Sequence, residues 1–226
     1  MTVELQWWPK IANEWISRKR VWPSQKIVDS LATKCHLIDK PYDDDVNDVL
    51  RYSFAWIEKE LIHLRIPQQK LVYLIFKSMI YKWIKPINPD QISSFIGKTV
   101  MFWVVEETNI DSLLWYESDE AIVQAITLLF TRLKNMLEQK FIPFYFVPSI
   151  NIIDNMANDI RVDIIGVIDD ILKNLVGHIP DNVTDVCKKL TSMGLLVPFF
   201  NNFNISIWSK ANLDKFLGQV SELSLI

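Results

Sequence analysis

The 226-residue chain is short of cysteine, glycine and histidine, and each shortage removes a class of protein. Its two cysteines, Cys35 and Cys187, lie far apart, so no disulfide framework is available and a reducing intracellular compartment is expected. Five glycines are too few for a fold with many tight turns, which argues against a β-sandwich. The three histidines (His36, His63 and His178) and two cysteines show no paired, finger-like spacing, so Cys35-His36 does not make a zinc site. A net charge of −3 argues against a protein that coats nucleic acid along its whole surface. Long apolar runs are missing as well. Residues 121–131 and 141–153 are free of charge but fall short of the roughly 20 residues a bilayer span needs. The opening MTVELQWW lacks the basic and apolar regions of a secretory leader. The expectation is a cytoplasmic protein, with the nucleus open, and no membrane partner.

What the chain has in quantity is core material. Half its residues are hydrophobic and 12% aromatic, with nine tryptophans, enough for one sizeable domain. Trp7, Ile11, Trp15 and Ile16 predict a helix over 5–20 that closes on the basic cluster Arg18-Lys19-Arg20. Pro23 opens a short helix with Ile27, Val28 and Leu31, and residues 35–39 read as extended. Phe54, Ile57, Leu61 and Leu64 predict one amphipathic helix over 50–64, with Arg51 and Ser53 in its first turn. Two readings of that turn stand. Guanidinium, hydroxyl and free amides form a phosphate or carboxylate site, or Ser53 caps the helix and Arg51 pairs with an acid of Asp43–Asp45.

Pro67 opens a helix that is apolar nearly all round as far as Ile84, which marks it as central. Asp90 caps a helix over 91–107 in which Lys98 either snorkels to the core edge or faces a polar cleft. Asp119 caps a long amphipathic helix to Glu138, and the aromatic, proline-bearing stretch 141–153 is an extended strap. Further helices are expected over 152–172, 181–193 and 209–222, so the fold class is all-α. Gly97-Lys98-Thr99 lacks the upstream glycine of a phosphate-binding loop, since Ile92 stands there. Asp43-Asp44-Asp45 reads as a solvated connector, and no G-x-S-x-G elbow occurs. The residues alone spell out no complete active site.

Five segments taken together point to a family. They are W-W-P-x-x-A-x-x-W-x-x-R-x-R at Trp7–Arg20, W-P-S at Trp22–Ser24 and R-Y-S-F-A-W-I-E-K-E-L at Arg51–Leu61. S-S-F-x-x-K-T-x-x-F-W at Ser93–Trp103 and Y-F-V-P-S-I-N-I-I at Tyr145–Ile153 complete the series. In this order and spacing the chain resembles the C-terminal helical lobe of the Mab-twenty-one-like proteins, which include cyclic GMP–AMP synthase and related receptors. The resemblance implies an HhH/H2TH-like helical lobe over 1–155, followed by a helical segment over 156–226 of unassigned role. By resemblance, Arg51, Ser53 and Glu58 match positions at the nucleotide, Lys77 a lysine that reaches the triphosphate, and Ser94–Phe95 a serine–tyrosine pair that stacks on a base. Phe95 keeps the ring and loses the hydroxyl; Ala55 replaces a serine.

The family's N-terminal sheet lobe, with its Gly-Ser motif and acidic metal ligands, has no counterpart in these residues, so no two-metal phosphoryl transfer is expected of this chain alone. ATP or GTP with Mg or Mn would enter only with that lobe. Ile66–Lys70 reads IPQQK where the synthase carries its DNA-gripping zinc loop, which leaves Arg18, Lys19 and Arg20 as the candidate nucleic-acid contact. The expected roles are a nucleotide-facing lobe in innate immune signalling, a non-enzymatic adaptor, or a piece of an intact nucleotidyltransferase. For an adaptor, Trp7, Trp8, Trp22 and the 141–148 strap form an exposed aromatic face that takes the sheet lobe or a protein partner.

Overall fold

The computed structural model describes residues 2–40, 49–116 and 118–179. Helices dominate, around one continuous cluster of buried side chains, and a small antiparallel sheet stands at one side. The sheet has the order β1 (Thr2–Leu5), β2 (Cys35–Lys40), β3 (Val49–Ser53). Helices α1 (Asn13–Ser17) and α2 (Gln25–Leu31) lie between β1 and β2. After β3 come α3 (Ala55–Leu64), α4 (Pro67–Met79), α5 (Ser94–Glu107), α6 (Asp119–Glu138), α7 (Asn158–Lys173) and the short α8 (Leu175–His178).

Two predicted helices are corrected. The helix expected over 5–20 is cut to Asn13–Ser17, preceded by a 3-10 turn at Lys10–Ala12 and by strand β1. Pro9 accounts for this: it disfavours helical geometry at Trp8 and is itself extended, with φ −71° and ψ 130°. The helix expected over 50–64 begins only at Ala55, because Val49–Ser53 pairs with β2, Arg51 opposite Ile38 and Ser53 opposite His36. Arg51 and Ser53 therefore sit on a strand, not in a first helical turn. Only a weak contact of 3.5 Å, from Ala55 N–H to Ser53 Oγ, survives of the expected cap. The extended piece at 35–39 is β2.

The central helices follow the sequence closely. Pro67 stands at the start of α4, whose Leu71, Val72, Ile75, Phe76 and Met79 are buried. At Ile80–Ile84 the helix widens into a π turn, then tightens into a 3-10 turn at Lys85–Ile87 that carries Pro86. Gly97 sits in α5 against this region: a Cβ there would lie 2.8 Å from Ile80 Cδ1, so the glycine lets α5 approach α4 closely. The caps move by a residue or more. Ser93 replaces Asp90 before α5, and Ser118, whose hydroxyl accepts from Ala121 N–H at 3.1 Å, replaces Asp119 before α6. The strap crosses the core with Ile142, Tyr145, Phe146 and Val147 buried. Ile164, Ile168 and Ile171 of α7 join the same cluster, and Arg161 donates to the Leu137 carbonyl near the end of α6. The helices expected over 181–193 and 209–222, Cys187 and the Asp43–Asp45 run lie outside the described residues.

Glu106, 3% exposed near the end of α5, ties these parts together. Its carboxylate accepts from Arg18 Nε at 2.5 Å, Arg18 Nη2 at 2.7 Å and the Tyr145 hydroxyl at 2.6 Å. Its backbone carbonyl accepts from Val21 N–H at 3.0 Å and Trp22 N–H at 3.3 Å. The Arg18 guanidinium also donates to the Tyr145 carbonyl at 2.7 Å and lies 4.3 Å from the Trp103 ring. Arg18→Met leaves a buried carboxylate without its cation and is expected to lower the unfolding free energy by about 3 kcal/mol in urea denaturation. A loss under about 1 kcal/mol would mean that the pair is not structurally important.

Candidate functional site

Three helices bring the family-matched side chains together. Glu58 on α3 is 7% exposed, and its Oε2 lies 2.5 Å from Lys98 Nζ of α5. Lys98 reaches the edge of the core and pairs there with Glu58, its ammonium standing 5.3 Å from the Phe95 ring. Phe95 is half-buried and leans on Phe144 of the strap at 5.6 Å between ring centres. Ser94 is exposed at the first residue of α5, whose first turn carries no acid; Ser93 before it makes no side-chain cap. The free amides there favour an anion.

Lys77, facing α5 from α4, is 8% exposed and has neither an acid nor a hydrogen-bond acceptor among the described residues. Burial, with Lys98 and Lys85 adding repulsion, pushes its ammonium down to about 8. Beneath Glu58 lies Arg65, at the C-terminal cap of α3 and 2% exposed, with none of its three nitrogens hydrogen-bonded. It is held between rings, 4.6 Å from Phe102 and 5.0 Å from Tyr73. Burial lowers it to about 10, offset by Tyr73, Tyr145 and Glu58, and it stays charged at neutral pH. Lys77 thus has Lys85 and Lys98 as charged neighbours, and Glu58, which pairs with Lys98, also acts on Arg65. Lys85 and Arg65 were missed from sequence, because neither burial nor the π turn shows in the spacing.

The remaining candidates are scattered. Arg51 is exposed and Ser53 half-buried on β3, and no hydrogen bond or ion pair among the described residues joins them to Lys77. An aromatic row links the end of β3 to the cluster: Phe54 packs on Phe144 at 5.7 Å, and Phe144 packs on Phe95. The basic cluster 18–20 is divided, which corrects its reading as one contact patch. Arg18 is spent on Glu106, Arg20 is folded over Trp15 with its terminal nitrogens buried and unpartnered, and only Lys19 points into solvent. The aromatic face is likewise smaller than expected. Trp22 and, in the strap, Ile142, Tyr145, Phe146 and Val147 are buried, Trp8 packs on Trp15 and Phe54, and Trp7 remains 50% exposed beside Tyr52. Among the described residues no three His, Cys, Asp or Glu side chains converge on a metal position. No described helix is long and apolar enough to cross a membrane.

Lys77 makes the cluster costly to fold. Its depressed value means that the native state holds fewer protons than the unfolded chain between about pH 8 and the ordinary 10.5, so stability rises with pH across that window. Below pH 8 both states are protonated and the cost is complete. Lys77→Met is expected to raise stability at pH 7 by on the order of 1–2 kcal/mol, with the gain shrinking as pH approaches 10.5. Urea melts at pH 7 and 10 measure this; a destabilised variant at pH 7 would contradict it.

Two comparisons match this architecture. Residues 69–170, from α4 through most of α7, match the Mab-21 protein HhH/H2TH-like domain. A "Cyclic GMP-AMP synthase-like receptor" from Aethina tumida is 26% identical over 151 residues, covering 66% of this chain and 33% of the receptor. The match thus spans one third of that relative's length. Lys77, Lys85, Ser94, Phe95 and Lys98 fall within the matched domain, whereas Arg51, Ser53 and Glu58 precede it. Residues 69–170, which include the lysine-bearing α4–α5 pair, are therefore similar to the HhH/H2TH-like helical domain of Mab-21 proteins.

Proposed function

We propose that the chain is the nucleotide-facing lobe of a cyclic GMP–AMP synthase-like protein, not catalytic by itself, and that it acts in innate immune signalling. The observation that carries the binding role is the uncompensated buried charge. Lys85 and Lys98 act on Lys77, Glu58 is the one acid paired with these lysines among the described residues, and Lys77 is largely desolvated with no partner among them. An anion entering that cleft supplies the missing acceptors, and charge-assisted bonds to phosphate are the strong kind. Phe95 at the rim offers a ring face for a base, and the open N-terminus of α5 offers amides to a phosphate. The immune role is supported by the receptor relative alone. ATP or GTP are the ligand classes, with Mg or Mn entering only alongside a sheet lobe.

A second reading, a protein–protein adaptor, is favoured by one observation. Val3, Leu37 and Tyr52 are in register on one face of the sheet, and Trp7 packs edge-on against Tyr52 with both rings largely in water.

Calorimetric titration of the chain with ATP and GTP tests the first reading. Saturable binding is expected, with Lys77→Met weakening it by roughly tenfold or more, the equivalent of about 1.4 kcal/mol. Flat heats for the wild type, or equal affinities for wild type and variant, would overturn it.

A further inference from the structure

The connector between α5 and α6 has an ordered backbone and yet exposes its largest side chains. One turn closes after another: Ser112 N–H donates to the Asn109 carbonyl at 3.0 Å, Trp115 N–H to Ser112 at 2.9 Å and Tyr116 N–H to Leu113 at 3.2 Å. The side chains of Asn109 and Ser112 accept from Asp111 N–H at 3.1 Å and Leu114 N–H at 3.3 Å. Trp115, 4% exposed, anchors the 3-10 turn Leu113–Trp115 in the core, and the buried Gln68 of α4 donates to the Tyr116 carbonyl at 2.8 Å. Residues three apart eclipse one another in a 3-10 turn, so Leu113 and Tyr116 stand on one side of it. Ile110 precedes them by the same step of three. All three are open to water, Ile110 at 43%, Leu113 at 67% and Tyr116 at 56%. Single exposed apolar residues are ordinary; a strip of large ones on a fixed backbone marks a contact surface.

We infer that the Ile110–Leu113–Tyr116 strip docks a cationic amphipathic segment of a protein partner, one that sets lysines or arginines beside an apolar stripe. The inference is independent of the nucleotide-facing reading and of the sheet face. Charge selects the partner. From Glu107 to Thr131 the sequence holds the acids Glu107, Asp111, Glu117, Asp119 and Glu120 and no lysine, arginine or histidine. Arg132 answers Glu107 at 2.6 Å. Asp111 and Glu120 are exposed and form no ion pair among the described residues. Asp111 lies within the strip, and Glu120 is in the first turn of α6, the helix on which the 3-10 turn packs. An anionic bilayer or a nucleic acid presents phosphates, which this field repels. A second copy joined through the same patch would set like acids against one another. A cationic segment meets neither obstacle. Its basic side chains pair with Asp111 and Glu120 at the rim, which steers the encounter, and its apolar stripe covers Leu113 and Tyr116, which supply the affinity. Because the connector is already ordered, docking freezes little backbone on this side.

The probe is a fluorescein-labelled synthetic helix with a leucine stripe flanked by lysines, titrated with the full chain and read by fluorescence anisotropy. Two control helices each keep one feature, with glutamates in place of the lysines or serines in place of the leucines. The lysine–leucine helix is expected to bind saturably and roughly tenfold or more tighter than either control. Leu113→Ser is expected to weaken it by roughly tenfold, and Asp111→Lys with Glu120→Lys to transfer the preference to the glutamate–leucine helix. Leu113, Asp111 and Glu120 are all exposed, so these variants keep the fold, which thermal melts check. No binding to the wild type, equal binding of the two leucine helices, or a Leu113→Ser variant that binds like the wild type would overturn the inference. Light scattering covers the remaining occupant: a dimer that Leu113→Ser turns into a monomer would put a second copy on the strip and overturn it as well.

Discussion

One buried carboxylate, Glu106, is the point on which the arrangement depends. It closes α5, receives the N-terminal segment through Arg18 and the strap through Tyr145, and fixes the backbone at Val21–Trp22 through its carbonyl. A buried ion pair gains little over a well-packed apolar contact, but removing one member strands a charge, so it selects a single register more than it adds stability. Here the register matters because the strap that Glu106 holds also carries Phe144, on which both Phe95 and Phe54 lean. The lock at one end of α5 thus also positions the ring on which Phe95 rests at the other.

The cleft follows the opposite principle. Where Glu106 is fully supplied with donors, Arg65 is buried with no acceptor among the described residues, a condition folding ordinarily removes, and Lys77 is largely desolvated. Held by rings instead of acids, Arg65 keeps a fixed positive field beneath Glu58, and Glu58 in turn holds Lys98 over Phe95. Charge arranged at a cost to stability is what supports the proposal of a ligand site there. The distinction between the two ends of α5 is therefore chemical: a closed network that organises the fold, and one in which, among the described residues, cations outnumber their acid partners.

Sequence periodicity was enough for α4, α5, α6 and the strap, whose buried residues recur at helical spacing or bracket prolines. It failed where the deciding partner lies far along the chain. Val49–Ser53 looks helical when read with Phe54 and Ile57, and becomes a strand because Cys35–Lys40 offers it a ladder. Arg18 belongs to an apparent basic patch until Glu106, 88 residues on, claims it. Of the site, Lys77, Ser94 and Phe95 were legible through the family resemblance and Lys98 through its isolation among apolar residues. Arg65 and Lys85 were not, since burial without a partner and a change of helical winding leave no mark in residue spacing.

The central claim, that Lys77 is a desolvated amine inside an anion site, can be tested by labelling with pyridoxal phosphate. Its aldehyde condenses with a neutral amine, its phosphate seeks neighbouring ammonium groups, and borohydride fixes the adduct for peptide mapping. The account expects the first adduct on Lys77, with ATP protecting it. Labelling that falls first on exposed lysines such as Lys19 and Lys82, with Lys77 untouched and ATP without effect, would contradict it.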